Sequence, residues 1–425
     1  MLRRSSMALF MTGVRRGLGG LLLTSAILTP IAVMAADATP KSYLLYVAGS
    51  YSRNLGKGIY AYRFDPATGD AAPLGLIQAA PRPSWLTAHP NHKFLYAPKD
   101  NSSKDATGVG YGVSAYARDE KTGALTLLNT VPSMGVSPSQ LAITGNGKFL
   151  AVANFGNAAG QATVAAFPIL PDGSLGKATS SLEQKGQADG PSVPRDANGL
   201  SPTDSHNHCM MLSPDSRFAV ACNLGLGKVF IFRLDPKTGV LTENGAFVMP
   251  TPPGVLSRPH HMVFQPSGRF AYILDGDMRV VAAAYDAAKG RMKTIQMVPI
   301  VAEPPPGSAF SGSEIRLSPS GRYLYTSARA VDGTLKSTQA NGALNVFAVN
   351  AKTGKLSPVQ QISSGGAAPR TFTFDPTGAY MLVANQLSDA VTIFAVDQRT
   401  GRLTPTGRNL KDSPEPGGFL FEAAK

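Results

Sequence analysis

Short apolar runs recur along the chain, and a polar turn precedes each of them. Six turns share this plan, at residues 90–93, 145–148, 214–217, 266–269, 319–322 and 376–379. Their third residues are 55, 69, 52, 53 and 57 positions apart, and an aromatic residue opens each following run. Apolar runs of strand length bounded by turn residues predict antiparallel strands joined by tight turns.

A second pattern follows each turn-and-run pair. It is an alternating strand that ends in a Thr-Gly turn, as in Val229–Gly239, with a short fourth strand behind it. Each unit therefore predicts four antiparallel strands, named A to D here, with the polar turn between A and B. Repeated four-strand units of about fifty residues indicate a β-propeller.

The two ends of the chain each hold part of one unit. Tyr43–Gly49 has the pattern of a B strand without an A strand, and Gly417–Glu422 is a spare apolar segment after the last full unit. We therefore predict an all-β, seven-bladed β-propeller over residues 42–423. Its blades are four-stranded and antiparallel, and the C-terminal strand closes the ring by joining the N-terminal blade.

Residues 1–36 differ from the repeat. Four arginines precede or open an apolar run, Leu18–Val33, and small residues follow at 33–36. This pattern predicts an export signal peptide, cleaved after Ala35, and a bacterial periplasmic or secreted product. The pair Arg15-Arg16 leaves twin-arginine export open beside the general secretory route.

Charge and hydropathy limit the partners. Removing four arginines and no acid lowers the net charge from +13 to about +9. The sequence contains no basic run with interleaved aromatic residues, which is the pattern that would predict nucleic-acid binding. No stretch after residue 36 is apolar enough to span a membrane. We expect a small-molecule substrate, no cofactor and a monomer.

The only cysteines are Cys209 and Cys222. They lie opposite each other if the intervening turn centres between Asp215 and Ser216. An oxidising compartment permits a disulfide there. Two buried thiols that pack as small apolar groups are the alternative.

Two insertions interrupt the repeat. Residues 187–204 are rich in Gly, Pro, Ser and Asp and come directly before His206, and residues 330–341 separate strands B and C of the sixth unit. Loops of this length tend to carry function or to be mobile.

In a propeller, the starts of the A strands and the ends of the B strands meet at one mouth of the central channel. The polar candidates at these positions are His206, His208, His260, His261, Glu314, Arg316, Arg370, Asn154, Asn223, Asp275, Arg329 and Asn385. Because side chains alternate along a strand, His206 and His208 should share a face, as should Glu314 and Arg316. By the same rule His260 and His261 should face opposite ways, so that at most one points at the site.

Structural roles for these residues stay open beside functional ones. The histidines could be hydrogen-bonded groups in a polar channel, Glu314 and Arg316 a channel-lining ion pair, and the asparagines caps of strand ends. A metal site built from His206, His208 and a third histidine or Glu314 is possible, but spacing fixes no ligand beyond the first two, and we expect no metal. Trp85, the single tryptophan, is expected in the core.

Several stretches resemble one known family. They include His206-Asn207-His208, Pro259-His260-His261, Ser313-Glu314-Ile315-Arg316 and Pro369-Arg370-Thr371. The pattern resembles the seven-bladed propeller lactonases of the 6-phosphogluconolactonase type, which are related to carboxymuconate-cyclising enzymes. The resemblance implies a lactonase-like hydrolase of the carboxylic ester class that opens a small lactone, or a related anionic sugar-acid substrate, at the channel mouth. Together with the predicted export signal, this gives an exported lactonase as the leading hypothesis.

With that chemistry, roles can be assigned. His206, or His260 in second place, would activate water or polarise the carbonyl, and Glu314 would orient the histidine. Arg370, with Arg316 or Arg329, would hold the substrate. The remaining substrate-binding candidates are His208, His261, Asn154, Asn223, Asp275 and Asn385.

Two other functions fit the same sequence. A non-catalytic propeller could bind a ligand or protein partner in the cell envelope through residues 187–204. A cycloisomerase acting on a dicarboxylate is the third hypothesis.

Overall fold

The structure is a computed structural model that describes residues 40–49, 57–103, 107–156, 162–185, 204–251, 257–276, 278–300, 309–332, 336–410 and 412–424. Within these ranges the regular secondary structure is β-strand, apart from one short 3₁₀-helix at Gln386–Ser388. No helix among the described residues has the length and hydropathy of a membrane span.

The strands form seven four-stranded antiparallel sheets, which are the blades of a propeller. Blade 1 contains β1 (Tyr43–Gly49), β2 (Gly58–Phe64) and β3 (Ala71–Ala79). Blade 2 contains β4 (Thr87–Ala88), β5 (Phe94–Lys99), β6 (Gly112–Arg118) and β7 (Leu125–Pro132). Blade 3 contains β8 (Pro138–Ile143), β9 (Phe149–Asn154), β10 (Thr163–Pro168) and β11 (Ser180–Glu183).

The second half of the chain repeats this plan. Blade 4 contains β12 (Asn207–Leu212), β13 (Phe218–Asn223), β14 (Lys228–Leu234) and β15 (Leu241–Val248). Blade 5 contains β16 (Pro259–Phe264), β17 (Phe270–Asp275), β18 (Arg279–Asp286) and β19 (Arg291–Pro299). Blade 6 contains β20 (Ala309–Leu317), β21 (Tyr323–Val331), β22 (Asn341–Val349) and β23 (Leu356–Ala367). Blade 7 contains β24 (Pro369–Phe374), β25 (Tyr380–Asn385), β26 (Ala390–Val396) and β27 (Leu403–Leu410).

The C-terminal strand β28 (Pro416–Ala423) completes blade 1. It pairs antiparallel with β1, from Tyr43 opposite Ala423 to Ala48 opposite Gly418. The N-terminal blade therefore takes its innermost strand from the other end of the chain, as predicted. Pairing of this kind leaves β1 without an open edge.

The two repeat signatures contact each other between neighbouring blades. In six of the seven blades, the aromatic residue that opens the B strand packs against the glycine of the Thr-Gly-type turn in the next blade, whereas Gly123 of blade 2 meets Leu44 of blade 1. A Cβ added to Gly354 would lie 2.4 Å from the ring of Phe270, and one added to Gly69 would lie 2.6 Å from the ring of Tyr380. Only glycine allows this approach, and its φ of +71° at Gly354 and +76° at Gly69 also favours glycine. Because Tyr380 is in blade 7 and Gly69 in blade 1, the same contact recurs across the closure of the ring.

The disulfide between Cys209 and Cys222 is present. The two residues are a register pair of β12 and β13, with Cα atoms 5.0 Å apart. Their position confirms that the turn centres between Asp215 and Ser216. Both side chains are buried in the core between blades 4 and 5.

Five inner strands carry a β-bulge near the start, where one extra residue is inserted opposite the B strand. The register shifts at Pro138/Gln140, Asn207/Cys209, Pro259/His261, Gly312/Glu314 and Pro369/Thr371. The inserted residues are Ser139, His208, His260, Ser313 and Arg370. Three of the five inserted residues, His208, His260 and Arg370, are site candidates. A fourth, Ser313, comes directly before the candidate Glu314.

Several predicted segments lie outside the described residues. These are the export signal and, apart from Asp204, the insertion at 187–204. Residues 333–335 of the insertion at 330–341 also lie outside the described residues. In the described part of this insertion, β21 continues to Val331, which bridges to Ser337.

Candidate functional site

The bulged residues form a connected layer around the channel. The hydroxyl of Ser139 donates to the carbonyl of His208 at 3.1 Å. Nδ1 of His260 lies 2.8 Å from the carbonyl of Ser313, and the hydroxyl of Ser313 donates to the carbonyl of Arg370 at 2.9 Å. Bulges occur where a strand must redirect a side chain, and here the same irregularity in successive blades brings their side chains together.

Three histidines form the centre of the site. The ring centroids of His208 and His260 are 3.7 Å apart, and those of His208 and His261 are 4.8 Å apart. His260 and His261 are separated by 5.1 Å. The prediction that only one of these two could face the site is wrong. The bulge between Pro259 and His261 breaks the alternation of side chains, so both neighbours point into one cluster.

The hydrogen bonds assign protons to the ring nitrogens. Because a carbonyl only accepts, Nδ1 of His260 donates to Ser313, and Nε2 is left as the basic nitrogen of the neutral ring. Nη2 of Arg370 donates to Nε2 of His208 at 3.3 Å, which engages the lone pair of that ring. Of the two stacked rings, His260 is the one with a basic nitrogen not engaged by Arg370.

Burial keeps both stacked histidines neutral. It lowers the pKa of His208 and of His260 well below the usual value near 6.5. The neighbouring histidines and the positive charges of Arg329 and Arg370 lower both pKa values further. A neutral imidazole can accept a proton, so the site holds a base at neutral pH.

Glu314 is the buried carboxylate of the site, 2% exposed. Its Oε1 accepts from Nδ1 of His261 at 2.9 Å, and its Oε2 accepts from the hydroxyl of Thr371 at 2.7 Å and lies 3.4 Å from Nη2 of Arg316. Burial alone would raise the pKa of Glu314, but His261, Arg316 and Thr371 outweigh it and lower the pKa to about 2. Glu314 and Arg316 thus share a face, as predicted, and Glu314 orients His261 rather than His206 or His260.

His206 lies apart from the three-histidine cluster. Its ring stacks on Phe155 with centroids 4.5 Å apart, and its Nδ1 lies 3.2 Å from the carbonyl of Phe155. Phe155 also contacts His208 edge-on, at 6.0 Å. The histidine ranked first from the sequence is therefore at the border of the cluster, with an aromatic ring on one face.

The four polar residues at the ends of these B strands bond to backbone groups, of which that of Ser364 belongs to the preceding blade and that of Ser133 to the segment between blades 2 and 3. Asn154 donates to the carbonyl of Ser133, and Asn385 donates to that of Ser364. Asn223 accepts from the amides of His206 and Leu226, and Asp275 accepts from the amide of Arg258. All four side chains are fully buried. These contacts match the capping role that the sequence left open for the asparagines.

The three histidines have the donor set of a metal site. Their ring nitrogens lie within 4.8 Å of one another, and imidazole is a ligand that zinc prefers. However, the basic nitrogen of His208 accepts from Arg370, and the charge of Arg329 also acts on His208 and His260. A divalent cation would have to displace one guanidinium and face another. The arrangement suits an anionic or electron-rich ligand better.

Two aromatic residues at the site are not among the candidates predicted from the sequence. Trp85 packs partly against the core between blades 2 and 3, as expected, but its indole also reaches Arg316 and His261. Phe155, which follows the B strand of blade 3, contacts His206 and His208. Their positions, next to an A start and a B end, were the available signal.

Comparisons with known proteins agree with this geometry. The family model "Lactonase, 7-bladed beta-propeller" matches residues 45–421. A 6-phosphogluconolactonase of Bacillus subtilis is 30% identical over 345 residues, which cover 81% of this chain and 88% of that protein.

Two solved structures have similar folds. The structure of a putative 6-phosphogluconolactonase from Bacteroides fragilis has a TM-score of 0.75 and 29% identity, covering 91% of this chain and 99% of that one. The structure of the periplasmic gluconolactonase PpgL of Pseudomonas aeruginosa has a TM-score of 0.75 and 29% identity, covering 90% and 100%.

Proposed function

Because the chain belongs to the seven-bladed β-propeller lactonase family, we propose that it hydrolyses a small lactone of a sugar acid at the mouth of its channel. One observation carries the assignment of the base. His260 is buried and neutral, and its Nδ1 proton is committed to Ser313, which leaves Nε2 to accept a proton from water. This ranks His260 before His206.

The proposed reaction needs no group besides water and these side chains. Nε2 of His260 takes a proton from water as the hydroxide oxygen bonds to the lactone carbonyl carbon. Arg370 and Arg329 stabilise the oxyanion that forms. When the ring C–O bond breaks, the proton on His260 passes to the leaving oxygen, and the product is an open-chain hydroxy acid.

The other charged groups prepare the site. Glu314 holds the Nδ1 proton of His261, and Arg316 compensates the buried carboxylate. His208 holds Arg370 in place through its Nε2. Arginine suits this task because its guanidinium is always charged and donates in a fixed plane.

A His260→Gln variant tests the proposal. We expect kcat/KM for δ-gluconolactone, or for its 6-phosphate, to fall about 100-fold or more, since a general base contributes at least that factor. The measurement is the rate of acid release above the buffer rate. His89→Gln is the matched control, because His89 bonds to the carbonyl of Gly147 at an A–B turn, away from the cluster.

Three outcomes would count against the proposal. If the wild type hydrolyses no lactone faster than buffer alone, the hydrolase function is ruled out and the ligand-binding propeller is the remaining hypothesis. A larger loss in His206→Gln than in His260→Gln would return the role of base to His206. An acyclic isomer instead of the hydrolysed acid would favour the cycloisomerase.

We also propose that the protein is exported. The support is the sequence of residues 1–36 and the similarity to a protein named a periplasmic gluconolactonase. Expression in a bacterium should yield a periplasmic protein that begins at Ala36, by N-terminal sequencing of the fractionated product. Arg15→Lys with Arg16→Lys separates the routes, because it should block twin-arginine export alone. Protein that begins at Met1 in the cytoplasm would contradict export.

A further inference from the structure

Trp85 contacts site residues from two blades on the far side of the channel. Its own position in the chain is just before β4, in blade 2. The Cζ atom of Arg316, in blade 6, is 5.4 Å from the centre of the indole, and the ring of His261, in blade 5, is 6.0 Å away and edge-on at 86°. The inner strands contact one another in chain order around the ring. Blades 5 and 6 are therefore the two farthest from blade 2, and the indole must extend across the channel to reach them.

Both residues contacted by Trp85 are partners of Glu314. His261 donates to Oε1 of that carboxylate, and Arg316 lies beside Oε2. Trp85 therefore contacts both groups that compensate the buried negative charge. Loss of either partner would leave a buried carboxylate only partly paired, which is costly.

The indole supplies an attraction that Arg316 does not receive from hydrogen bonds. Nε of Arg316 is buried and has no hydrogen-bond partner among the described residues. A guanidinium over an indole is attracted to the negative face of the ring, and tryptophan is the best such partner. Arg316 is thus in contact with both the indole of Trp85 and the carboxylate of Glu314.

We propose, on the basis of the lactonase function above, that Trp85 is a positioning residue for the site. It acts through Arg316 and His261: it presses both against Glu314 and so fixes the wall of the histidine cluster from across the channel. Position 85 requires an aromatic ring, and not only an apolar side chain that fills the space.

The test compares Trp85→Phe with Trp85→Leu. Phenylalanine keeps an aromatic face for Arg316, whereas leucine keeps an apolar group without one. We expect kcat/KM of Trp85→Phe to be within about threefold of the wild type and that of Trp85→Leu to be about tenfold lower, which is the scale of a partly buried cation–π contact. Similar thermal unfolding midpoints of the two variants would show that packing is matched.

A double-mutant cycle separates positioning from packing. In an Arg316→Gln background the guanidinium is absent and only the contact with His261 remains, so the difference in kcat/KM between Trp85→Leu and Trp85→Phe should be clearly smaller than in the wild-type background. A purely structural role would give the same difference in both backgrounds. Equal kcat/KM for Trp85→Phe and Trp85→Leu in the wild-type background would overturn the inference.

Failure of the lactonase function would be distinguishable. If the wild type hydrolyses no lactone, calorimetric titration with gluconate replaces the rate measurement. Binding about tenfold weaker in Trp85→Leu than in Trp85→Phe supports the positioning role. Equal affinities, or no gluconate binding by the wild type, overturn it.

Discussion

At the scale of single residues, the site combines neutral bases with permanent cations. His208 and His260 are buried beside Arg329 and Arg370, and this surrounding disfavours a second positive charge on either ring. The pKa of a histidine that acts as a base is usually kept high by a neighbouring carboxylate. Here the carboxylate of Glu314 is instead paired with His261 and Arg316. The two histidines therefore stay unprotonated at neutral pH, and the arginines keep their positive charge beside them.

This arrangement predicts a pH profile. The pKa of His260 lies well below 6.5 because the ring is buried and close to His208, His261 and two arginines. Its basic form therefore persists below pH 6.5, so kcat/KM should stay level from pH 8 down through pH 6.5 and fall only in more acidic buffer. Initial rates on a lactone, corrected for the buffer rate at each pH, measure it.

The control for that profile is the stability of the protein. The unfolded chain protonates these histidines near pH 6.5 and the folded chain does so only at lower pH, so the free energy of unfolding decreases as pH falls below 6.5. Denaturant unfolding at each pH separates this effect from the titration of the base. A loss of activity centred at pH 6.5 or above in fully folded protein would contradict the assignment.

At the scale of strands, the β-bulge decides what the channel presents. A regular inner strand would place His260 and His261 on opposite faces. The extra residue opposite Asp275 instead allows both to join His208. The same irregularity in blades 3, 4, 6 and 7 places Ser139, His208, Ser313 and Arg370 in equivalent positions, and the hydrogen bonds between them connect neighbouring blades.

The disulfide joins one of these bulged strands, β12, to its neighbour β13. Cys209 follows the bulged residue His208, and Cys222 precedes Asn223, which accepts from the amide of His206. Cys209→Ala with Cys222→Ala should lower the free energy of unfolding by about 3 kcal/mol, since the bond closes a loop of 13 residues in the unfolded chain. Urea denaturation measures it.

Reduced wild-type protein is the matched control for this variant. It lacks the bond but keeps both sulfur atoms, so it separates loss of the cross-link from the small cavity that alanine leaves. A difference of less than about 1 kcal/mol between oxidised and reduced wild type would show that the bond contributes little.

At the scale of the whole molecule, six of the seven blades are attached to the next by the same contact, and blade 1 is attached to blade 2 by Leu44 against Gly123. An aromatic residue at the start of one B strand meets a glycine in the turn of the following blade, from Phe94 against Gly173 to Tyr380 against Gly69. Because the last of these joins blade 7 to blade 1, the ring has no terminal interface. Stability then depends on closure, which β28 also provides.

Removing residues 416–425 should therefore open the ring. Strand β1 would lose its inner partner and present an apolar edge that can pair with other chains. We expect the thermal midpoint to fall by roughly 10 °C or more, with aggregates visible by size-exclusion chromatography. Removal of 424–425 alone, which leaves β28 intact, should change neither. An unchanged midpoint in the longer deletion would show that β28 is dispensable for closure.

Much of this molecule follows from local sequence. The A–B turns and the register of Cys209 with Cys222 depend on turn chemistry over a few residues. The number of blades follows from the repeat of strand patterns, and the pairing of β28 with β1 follows from the incomplete units that the repeat leaves at the two ends of the chain. The candidate site residues could also be placed at one mouth of the channel, because strand direction fixes which ends meet.

Only the tertiary structure decided which of those residues meet. Alternation along an ideal strand predicted one of His260 and His261 at the site, but a bulge depends on pairing with the B strand and is not visible in the strand's own sequence. The positions of His206 against Phe155 and of Trp85 against Arg316 depend on blades distant in the chain. The repeat determined where polar groups gather, while contacts between blades determined their protonation, their partners and their chemistry.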